Sequence, residues 1–143
     1  VLHAESLFKR AQGLVRRGQA PAAVPLLEEA VANNQSEAEF WAYLGLALYS
    51  ARGKEALDEA RKHLAKAESL RQSLDVVHEF RGRIAHIERD YDLAARELKK
   101  ALEINPKNHD AERELRLIQM RGGKAPEPRS LGELFQKIVN RSK

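Results

Sequence analysis

The chain has 143 residues, a formal net charge of +4 and no cysteine. Its length is sufficient for one domain with a substantial core and too short for two independent catalytic domains. The absence of cysteine excludes disulfide frameworks, thiolate zinc sites and cysteine nucleophiles.

Periodic apolar residues, interrupted by Gly18, Gly53 and Pro106, predict seven helices and no strands in most of the chain. The predicted bounds are 4–17, 21–33, 37–51, 54–71, 75–89, 91–104 and 109–121. Pro21 and Pro25 crowd the start of the second helix, where only the first turn tolerates proline. We therefore expect that helix to start late or to bend.

Three of these helices share a pattern in which an alanine is followed four positions later by leucine and three positions further on by alanine. This spacing puts the three side chains on one stripe, small where two helices cross closely and large where a gap must be filled. We interpret them as the second helices of three helix pairs. The residues are Ala23, Leu27 and Ala30, then Ala60, Leu64 and Ala67, then Ala94, Leu98 and Ala101.

The helix before each of these has its own small residue, at Ala11, Gly45 or Gly82, among bulky apolar neighbours. The small residues are spaced 34 and then 37 apart in the first helices, and 37 and then 34 apart in the second helices. A three-residue insertion is therefore predicted around residues 51–55, within a threefold repeat.

Two motifs mark the repeat further. Trp41-Ala-Tyr-Leu-Gly45 matches a Trp-x-x-Leu-Gly signature, and Ala101-Leu-Glu-Ile-Asn-Pro106 matches a typical repeat ending. On these residues, positions 4–121 resemble the tetratricopeptide repeat (TPR) family, whose unit is a helix-turn-helix. The first repeat departs from the family pattern, with Arg10 where leucine is usual and Gln35 where proline is usual.

The resemblance implies an all-α fold, a right-handed α-α superhelix or solenoid of three TPR helix pairs. The repeats would occupy about 4–36, 37–73 and 74–108, followed by a capping helix at 109–121, all within a first region spanning 1–121. A Gly/Pro linker at 122–129 and a C-terminal amphipathic helix at 130–143 complete the predicted organisation. In its overall organisation the chain is similar to the repeat segments of bacterial signalling or co-chaperone proteins.

The resemblance also implies a function, because the first helices of such an array line a concave groove. We expect a protein interaction scaffold that binds a peptide or helix there, and one candidate ligand is its own or a neighbour's C-terminal helix. Aromatic side chains would anchor the ligand in an open apolar strip, and basic side chains would orient it. The predicted groove residues are Phe8, Lys9, Gln12, Arg16, Tyr43, Leu46, Tyr49, Phe80, Arg83, Ile87 and Leu117.

One binding mode of the family is disfavoured by the sequence. In the carboxylate clamp, Lys, Asn and Arg side chains on first helices hold the C-terminal Asp of a chaperone. The matching positions here are Phe8, Gln12, Tyr43, Val76 and Phe80. We therefore expect no chaperone-tail binding by that mechanism, and the partner protein stays unidentified.

The predicted C-terminal helix has an apolar stripe at spacings of 0, 3, 4, 7 and 8, after a capping box at Ser130 and Glu133. A helix this short is marginal alone in water, so the stripe needs a surface. Three surfaces stay open: this protein's own repeats in the same or a neighbouring chain, another protein, or a membrane surface. The residues of this C-terminal stripe are Leu131, Leu134, Phe135, Ile138 and Val139.

The excess positive charge is C-terminal, because residues 113–143 have 8 Lys/Arg against 3 Asp/Glu while residues 1–112 have 17 against 18. This leaves an alternative function, a nucleic-acid-binding or membrane-surface adaptor that uses the basic C-terminal segment. We rank nucleic acid and membrane as unlikely partners, because the excess is modest and no aromatic-basic platform accompanies it.

Catalytic or cofactor chemistry is not indicated. The five histidines lack the His-Glu-x-x-His arrangement and the i,i+4 pairing of metal sites, and no phosphate-binding glycine loop or serine elbow occurs. We expect no enzyme, metal or cofactor. We expect a cytoplasmic location, since the sequence lacks cysteine, a signal peptide and an apolar run of about 18 residues.

Overall fold

The computed structural model describes residues 2–121, so the predicted linker and C-terminal helix at 122–143 lie outside the described residues. In the described range the chain forms α-helices without strands, and the predicted all-α solenoid is confirmed. No helix end differs from its predicted position by more than three residues. The helices are α1 (Leu2–Arg16), α2 (Ala20–Asn33), α3 (Ala38–Arg52), α4 (Leu57–Leu70), α5 (Asp75–Ile87), α6 (Tyr91–Ile104) and α7 (His109–Met120).

Helix α2 begins at Ala20, so the predicted late start is wrong. Pro21 lies in the first turn, where a missing amide hydrogen removes no helical bond. Pro25 lies inside the helix and is exposed, and its missing amide hydrogen removes one bond to the carbonyl of Pro21. The helix nevertheless continues to Asn33, because its buried alanine and leucine face packs on the core.

The two helices of each pair approach each other closely at small residues, as the sequence spacing predicts. A Cβ atom built on Gly45 of α3 would lie 3.0 Å from the carbonyl oxygen of Ala60 in α4. A Cβ atom on Gly82 of α5 would lie 2.7 Å from Cγ of Leu98 and 3.1 Å from the carbonyl oxygen of Ala94, both in α6. Glycine is needed at these positions because the neighbouring helix leaves no space for a methyl group.

A short 3₁₀ helix at Gly53–Ala56 separates α3 from α4 and coincides with the predicted three-residue insertion. Gly53 has a φ of 68°, a left-handed conformation that glycine adopts without steric cost. Ala56 at the end of this segment is buried in the core. The insertion therefore lengthens the turn while the α3–α4 contact at Gly45 is preserved.

Helices α1 and α5 end in the same hydrogen-bonded motif. The amides of Gly18 and Gln19 donate to the carbonyls of Val15 and Leu14 at 3.1 and 2.8 Å. At the end of α5 the amides of Arg89 and Asp90 donate in the same way to His86 and Ala85, at 3.1 and 2.9 Å. This is the Schellman pattern, which requires a left-handed residue just beyond the helix. Gly18 has a φ of 75°, and at the equivalent position Arg89 has a φ of 67°.

Replacing Arg89 with glycine is expected to raise the free energy of unfolding by about 0.5–1 kcal/mol. The left-handed conformation costs an L-residue roughly 1–2 kcal/mol, and the extra freedom of glycine in the unfolded chain offsets part of the gain. Urea denaturation followed by circular dichroism measures the change. In the matched control Arg96→Gly, at an exposed site inside α6, stability should fall by about 1 kcal/mol. A loss of stability in Arg89→Gly would contradict the strain argument.

The core divides within the third helix pair, at the junction between α5 and α6. One apolar cluster extends from α1 to Ile84 in α5, and a second extends from Ala85 to Ile118 in α7. A polar contact bridges α5 and α6 at this junction, where Nδ1 of His78 lies 2.7 Å from Oε2 of the buried Glu97. His78 occupies the position held by Trp41 in the second pair, so a hydrogen bond replaces an aromatic contact there.

Candidate functional site

The first helix of each pair and α7 together line the concave face of the array. A pocket of about 210 Å³ lies at its centre and receives side chains from α1, α3, α5 and α7. Five of the predicted groove residues meet there. The lining residues are Val15, Arg16, Tyr43, Leu46, Glu79, Phe80, Arg83, Asp110, Arg113 and Glu114.

A second pocket, of about 220 Å³, lies on α1 and the start of α3. It brings together three other predicted groove residues, Phe8, Lys9 and Gln12, with Glu5, Glu37, Glu39 and Phe40. The edge-to-face contact between Phe8 and Tyr43, with ring centroids 5.1 Å apart, connects the residues of the two pockets. Eight of the eleven predicted groove residues thus fall into two adjoining depressions, and Tyr49, Ile87 and Leu117 lie in neither.

The aromatic residues of this face are packed between the first helices and do not project into the groove. Phe8, Tyr43 and Phe80 expose 7%, 9% and 2% of their surface. Phe8 packs on Phe40 at 4.8 Å and Tyr43 packs on Phe80 at 4.9 Å between ring centroids, which gives a continuous aromatic ladder. Leu46 is also buried.

The prediction of an open apolar strip is therefore wrong for Phe8, Tyr43, Leu46, Tyr49 and Phe80. Neighbouring first helices lie close enough for these side chains to fill the space between them, so their apolar surface is already buried within the chain. Two apolar residues of the predicted groove, Ile87 and Leu117, are exposed, and both lie towards the C-terminal end of the array.

The polar groups of the central pocket are held by a network that begins at α7. Asn108 caps α7, because its side-chain oxygen accepts from the amide of Ala111 at 2.9 Å. Its amide nitrogen donates to Oε1 of Glu79 at 3.1 Å and to Oδ2 of Asp75 at 2.9 Å. Burial raises the pKa of the Glu79 carboxyl, although the hydrogen bond from Asn108 acts against this. The sequence-based list of site residues missed Asn108, whose signal is its position just before a helix.

Three arginines surround the floor of this pocket. Arg16 is exposed at the end of α1. Arg83 on α5 is partly exposed and donates to Oε2 of Glu79 at 3.4 Å. Arg113 on α7 is exposed and pairs loosely with Asp110 at 3.5 Å. Glu79 is buried beneath Arg83, so the accessible edge of the pocket presents three guanidinium groups, together with the exposed carboxylate of Asp110 and the partly exposed Glu114.

The two tyrosines predicted to anchor a ligand instead have internal partners. Burial raises the pKa of the Tyr43 hydroxyl, and the neighbouring Gln12 side chain acts against this. The Tyr49 hydroxyl donates to Oε2 of Glu88 beyond the end of α5, and burial together with this bond raises its pKa to about 12. The Tyr49 hydroxyl therefore fixes α3 to the end of α5, and Tyr43 contacts α5 through its ring.

Comparison with known proteins gives a match between residues 8–75 and the family model described as tetratricopeptide repeat. The match spans the first two helix pairs, and the third pair repeats their geometry at Gly82. Residues 8–75 therefore belong to the tetratricopeptide repeat family, and the described array as a whole has the fold of solved TPR domains. A search of the curated proteins finds no significant match.

Solved TPR structures are similar over nearly the whole described array. The first TPR domain of human RPAP3 is 18% identical, with a TM-score of 0.67 and coverage of 82% of this chain and 91% of that chain. The Sgt2 TPR domain from Aspergillus fumigatus is 14% identical, with a TM-score of 0.66 and coverage of 91% and 89%. The second TPR domain of human RPAP3, in complex with the HSP70 peptide SGPTIEEVD, is 22% identical, with a TM-score of 0.62 and coverage of 82% and 96%.

Four of the five histidines have carboxylate neighbours, each in a separate place. His86 lies 2.6 Å from Glu114 between α5 and α7, and His3 lies 3.0 Å from Glu29 between α1 and α2. Over residues 2–121, no three His, Asp or Glu side chains are grouped in a way that suits a metal ion. In the same range, no helix combines the length and the apolar character needed to cross a bilayer.

Proposed function

We propose that this TPR array is a protein interaction module whose concave face binds a peptide segment of another protein that carries carboxylate groups. The observation that supports this proposal is the convergence of Arg16, Arg83 and Arg113 from three different helices on one pocket. Guanidinium groups bind carboxylates through paired, charge-assisted hydrogen bonds. Rigid helices hold these groups in place, which lowers the entropic cost of binding.

The buried aromatic ladder determines how such a ligand would be bound. Tyr43 and Phe80 form the floor of the pocket but expose little surface, so a ligand gains little by inserting large apolar side chains between them. Binding would then depend on polar contacts at the accessible edge, which salt screens. The affinity for the peptide should therefore fall as ionic strength rises, whereas the affinity of an apolar groove for its ligand should not.

The structural relatives support a peptide ligand without defining its sequence. The HSP70 peptide bound by the human RPAP3 domain is acidic near its C-terminus. In this chain the family's clamp positions are occupied by Phe8, Gln12, Tyr43, Val76 and Phe80, and three of these are aromatic. We therefore propose recognition of an acidic peptide by the arginines of the central pocket, in an arrangement different from that clamp.

Reversing the charge at two of these arginines is expected to abolish peptide capture. A library of short random peptides is selected on the wild-type chain, and the enriched peptides are synthesised and titrated by fluorescence polarisation. Arg16→Glu with Arg83→Glu should weaken binding by at least about tenfold, since charge-assisted hydrogen bonds contribute roughly 1.5–3 kcal/mol each. Arg83→Glu places a second carboxylate beside the buried Glu79 and should lower the midpoint of thermal unfolding. Arg16→Glu alone should keep the midpoint of the wild type and still weaken binding.

The matched control is Lys99→Glu, which changes the charge of an exposed residue on the second helix α6, away from the central pocket. Peptide affinity in this variant should equal that of the wild type. Enrichment of acidic sequences is the expected outcome of the selection. Equal binding by the double arginine variant, or enrichment of apolar sequences alone, would overturn the proposal.

A further inference from the structure

The C-terminal end of the array exposes apolar side chains at positions that are covered elsewhere. Tyr49, His86 and Met120 occupy equivalent register positions in α3, α5 and α7. Tyr49 is covered by the end of α5, where it contacts Glu88, and His86 is covered by Glu114 of α7. Met120 is 76% exposed, because no further helix follows α7 within residues 2–121.

Met120 has two exposed apolar neighbours. Leu117, one turn earlier on α7, is 37% exposed, and Ile87 in the last turn of α5 is 64% exposed. The contact between His86 and Glu114 places the last turn of α5 beside the middle of α7, one turn before Leu117. Ile87, Leu117 and Met120 form what we call the terminal edge. Three large apolar residues exposed at one end of a solenoid indicate a surface that another element covers.

We propose that the terminal edge is the docking site of the chain's own C-terminal segment, residues 130–140, through its C-terminal stripe. The sequence supplies the complementary surface, since the stripe has five large apolar residues at helical spacing, from Leu131 to Val139. Such a segment is marginal as an isolated helix, whereas packing on the terminal edge buries both apolar surfaces.

The position of residues 130–140 along the chain favours docking on the same molecule over docking on a second copy. Helix α7 ends at Met120, within the terminal edge, and the linker of about eight residues can span roughly 25 Å. A tether this short gives an effective concentration in the millimolar range. A second copy at micromolar concentration competes poorly with it. Gly122 and Gly123 at the start of the linker allow the chain to reverse direction.

A neighbouring face of α7 is unsuited to the same packing. The position equivalent to Gly45 and Gly82, where a second helix approaches closely, is occupied in α7 by Arg116. Arg116 is exposed and donates to Glu112 at 2.8 Å. A long charged side chain prevents the close helix approach that glycine permits, so the segment does not complete a fourth regular pair. The terminal edge is the apolar alternative.

Disulfide trapping tests this docking in the full-length chain, which has no cysteine of its own. Leu117→Cys with Phe135→Cys places one thiol on the terminal edge and one on the stripe. Arg116→Cys with Phe135→Cys is the control, with nearly the same tether length but a thiol on the face that is unsuited to packing. Both pairs are oxidised mildly at low protein concentration and analysed by mass spectrometry. A disulfide reports close contact, because it requires Cα atoms about 5.5 Å apart.

Docking predicts an intramolecular disulfide that forms at least about tenfold faster in the Leu117 pair than in the Arg116 pair. Adding Leu134→Asp and Ile138→Asp should remove this difference, because charged residues replace the stripe. Equal rates in the two original pairs would overturn the proposal, and so would disulfides formed only between two copies. The trapping does not involve Arg16 or Arg83, so this proposal and the peptide-binding proposal can fail separately.

Discussion

Phe80→Ala is expected to lower the free energy of unfolding by about 3–5 kcal/mol, the usual cost of removing a buried phenylalanine. The ring is 2% exposed and makes an edge-to-face contact with Tyr43 at 4.9 Å. Its removal leaves a cavity where α3 meets α5. Most single domains have a total stability of only 5–15 kcal/mol, so the variant should unfold at a clearly lower urea concentration.

The control for this prediction is Lys62→Ala, which removes a large exposed side chain from the surface of α4. Its stability should stay within about 0.5 kcal/mol of the wild type. Urea denaturation followed by circular dichroism, together with peptide titration, distinguishes the two roles considered for Phe80. A Phe80→Ala chain that keeps full stability but loses peptide binding would show that the ring is an exposed anchor.

The position of the aromatic ladder also explains how the groove obtains its shape. Phe8, Tyr43 and Phe80 connect α1, α3 and α5 through successive ring contacts. They therefore set the spacing of the helices from which Arg16 and Arg83 project. In this arrangement the aromatic residues act on ligand binding through the geometry of the array, and the arginines act directly.

The helices and their pairing could be predicted from the sequence because close helix contacts leave a local signal. Small residues such as Gly82 and Ala94 are required wherever two backbones approach, and their spacing repeats along the chain. The distance between successive first helices leaves no comparable signal. Helical spacing identified the face on which Phe8 and Tyr43 lie, but whether that face is open or covered depends on the neighbouring repeat.

Polar contacts between distant residues were also beyond prediction from the sequence. Asn108 is separated from Glu79 by 29 positions, and their hydrogen bond exists because α7 packs beside α5. The left-handed conformation at Arg89 was missed for a different reason. The turn after α1 has glycine at this position, but the turn after α5 does not, so composition gave no indication of the same hydrogen-bonded ending.

Gly82→Ala is expected to lower the free energy of unfolding by about 2 kcal/mol, although alanine is intrinsically the better helix former. The added methyl group would lie 2.7 Å from Cγ of Leu98, a fully buried side chain, and 3.1 Å from the carbonyl oxygen of Ala94. Neither atom is the free end of a flexible side chain, so α5 and α6 must move apart. Overpacking of this kind typically costs 1–3 kcal/mol, which outweighs the gain in helix propensity.

The same substitution at Gly13 should have the opposite effect and provides the matched control. A Cβ atom on Gly13, inside α1, would meet the side chain of Arg17 at an ordinary distance of 3.6 Å. Gly13→Ala should therefore raise the free energy of unfolding by about 0.5–1 kcal/mol, because alanine loses less conformational entropy on folding. Urea denaturation of both variants measures the difference directly. Equal stability of Gly82→Ala and Gly13→Ala would contradict the close approach of α5 and α6 at Gly82.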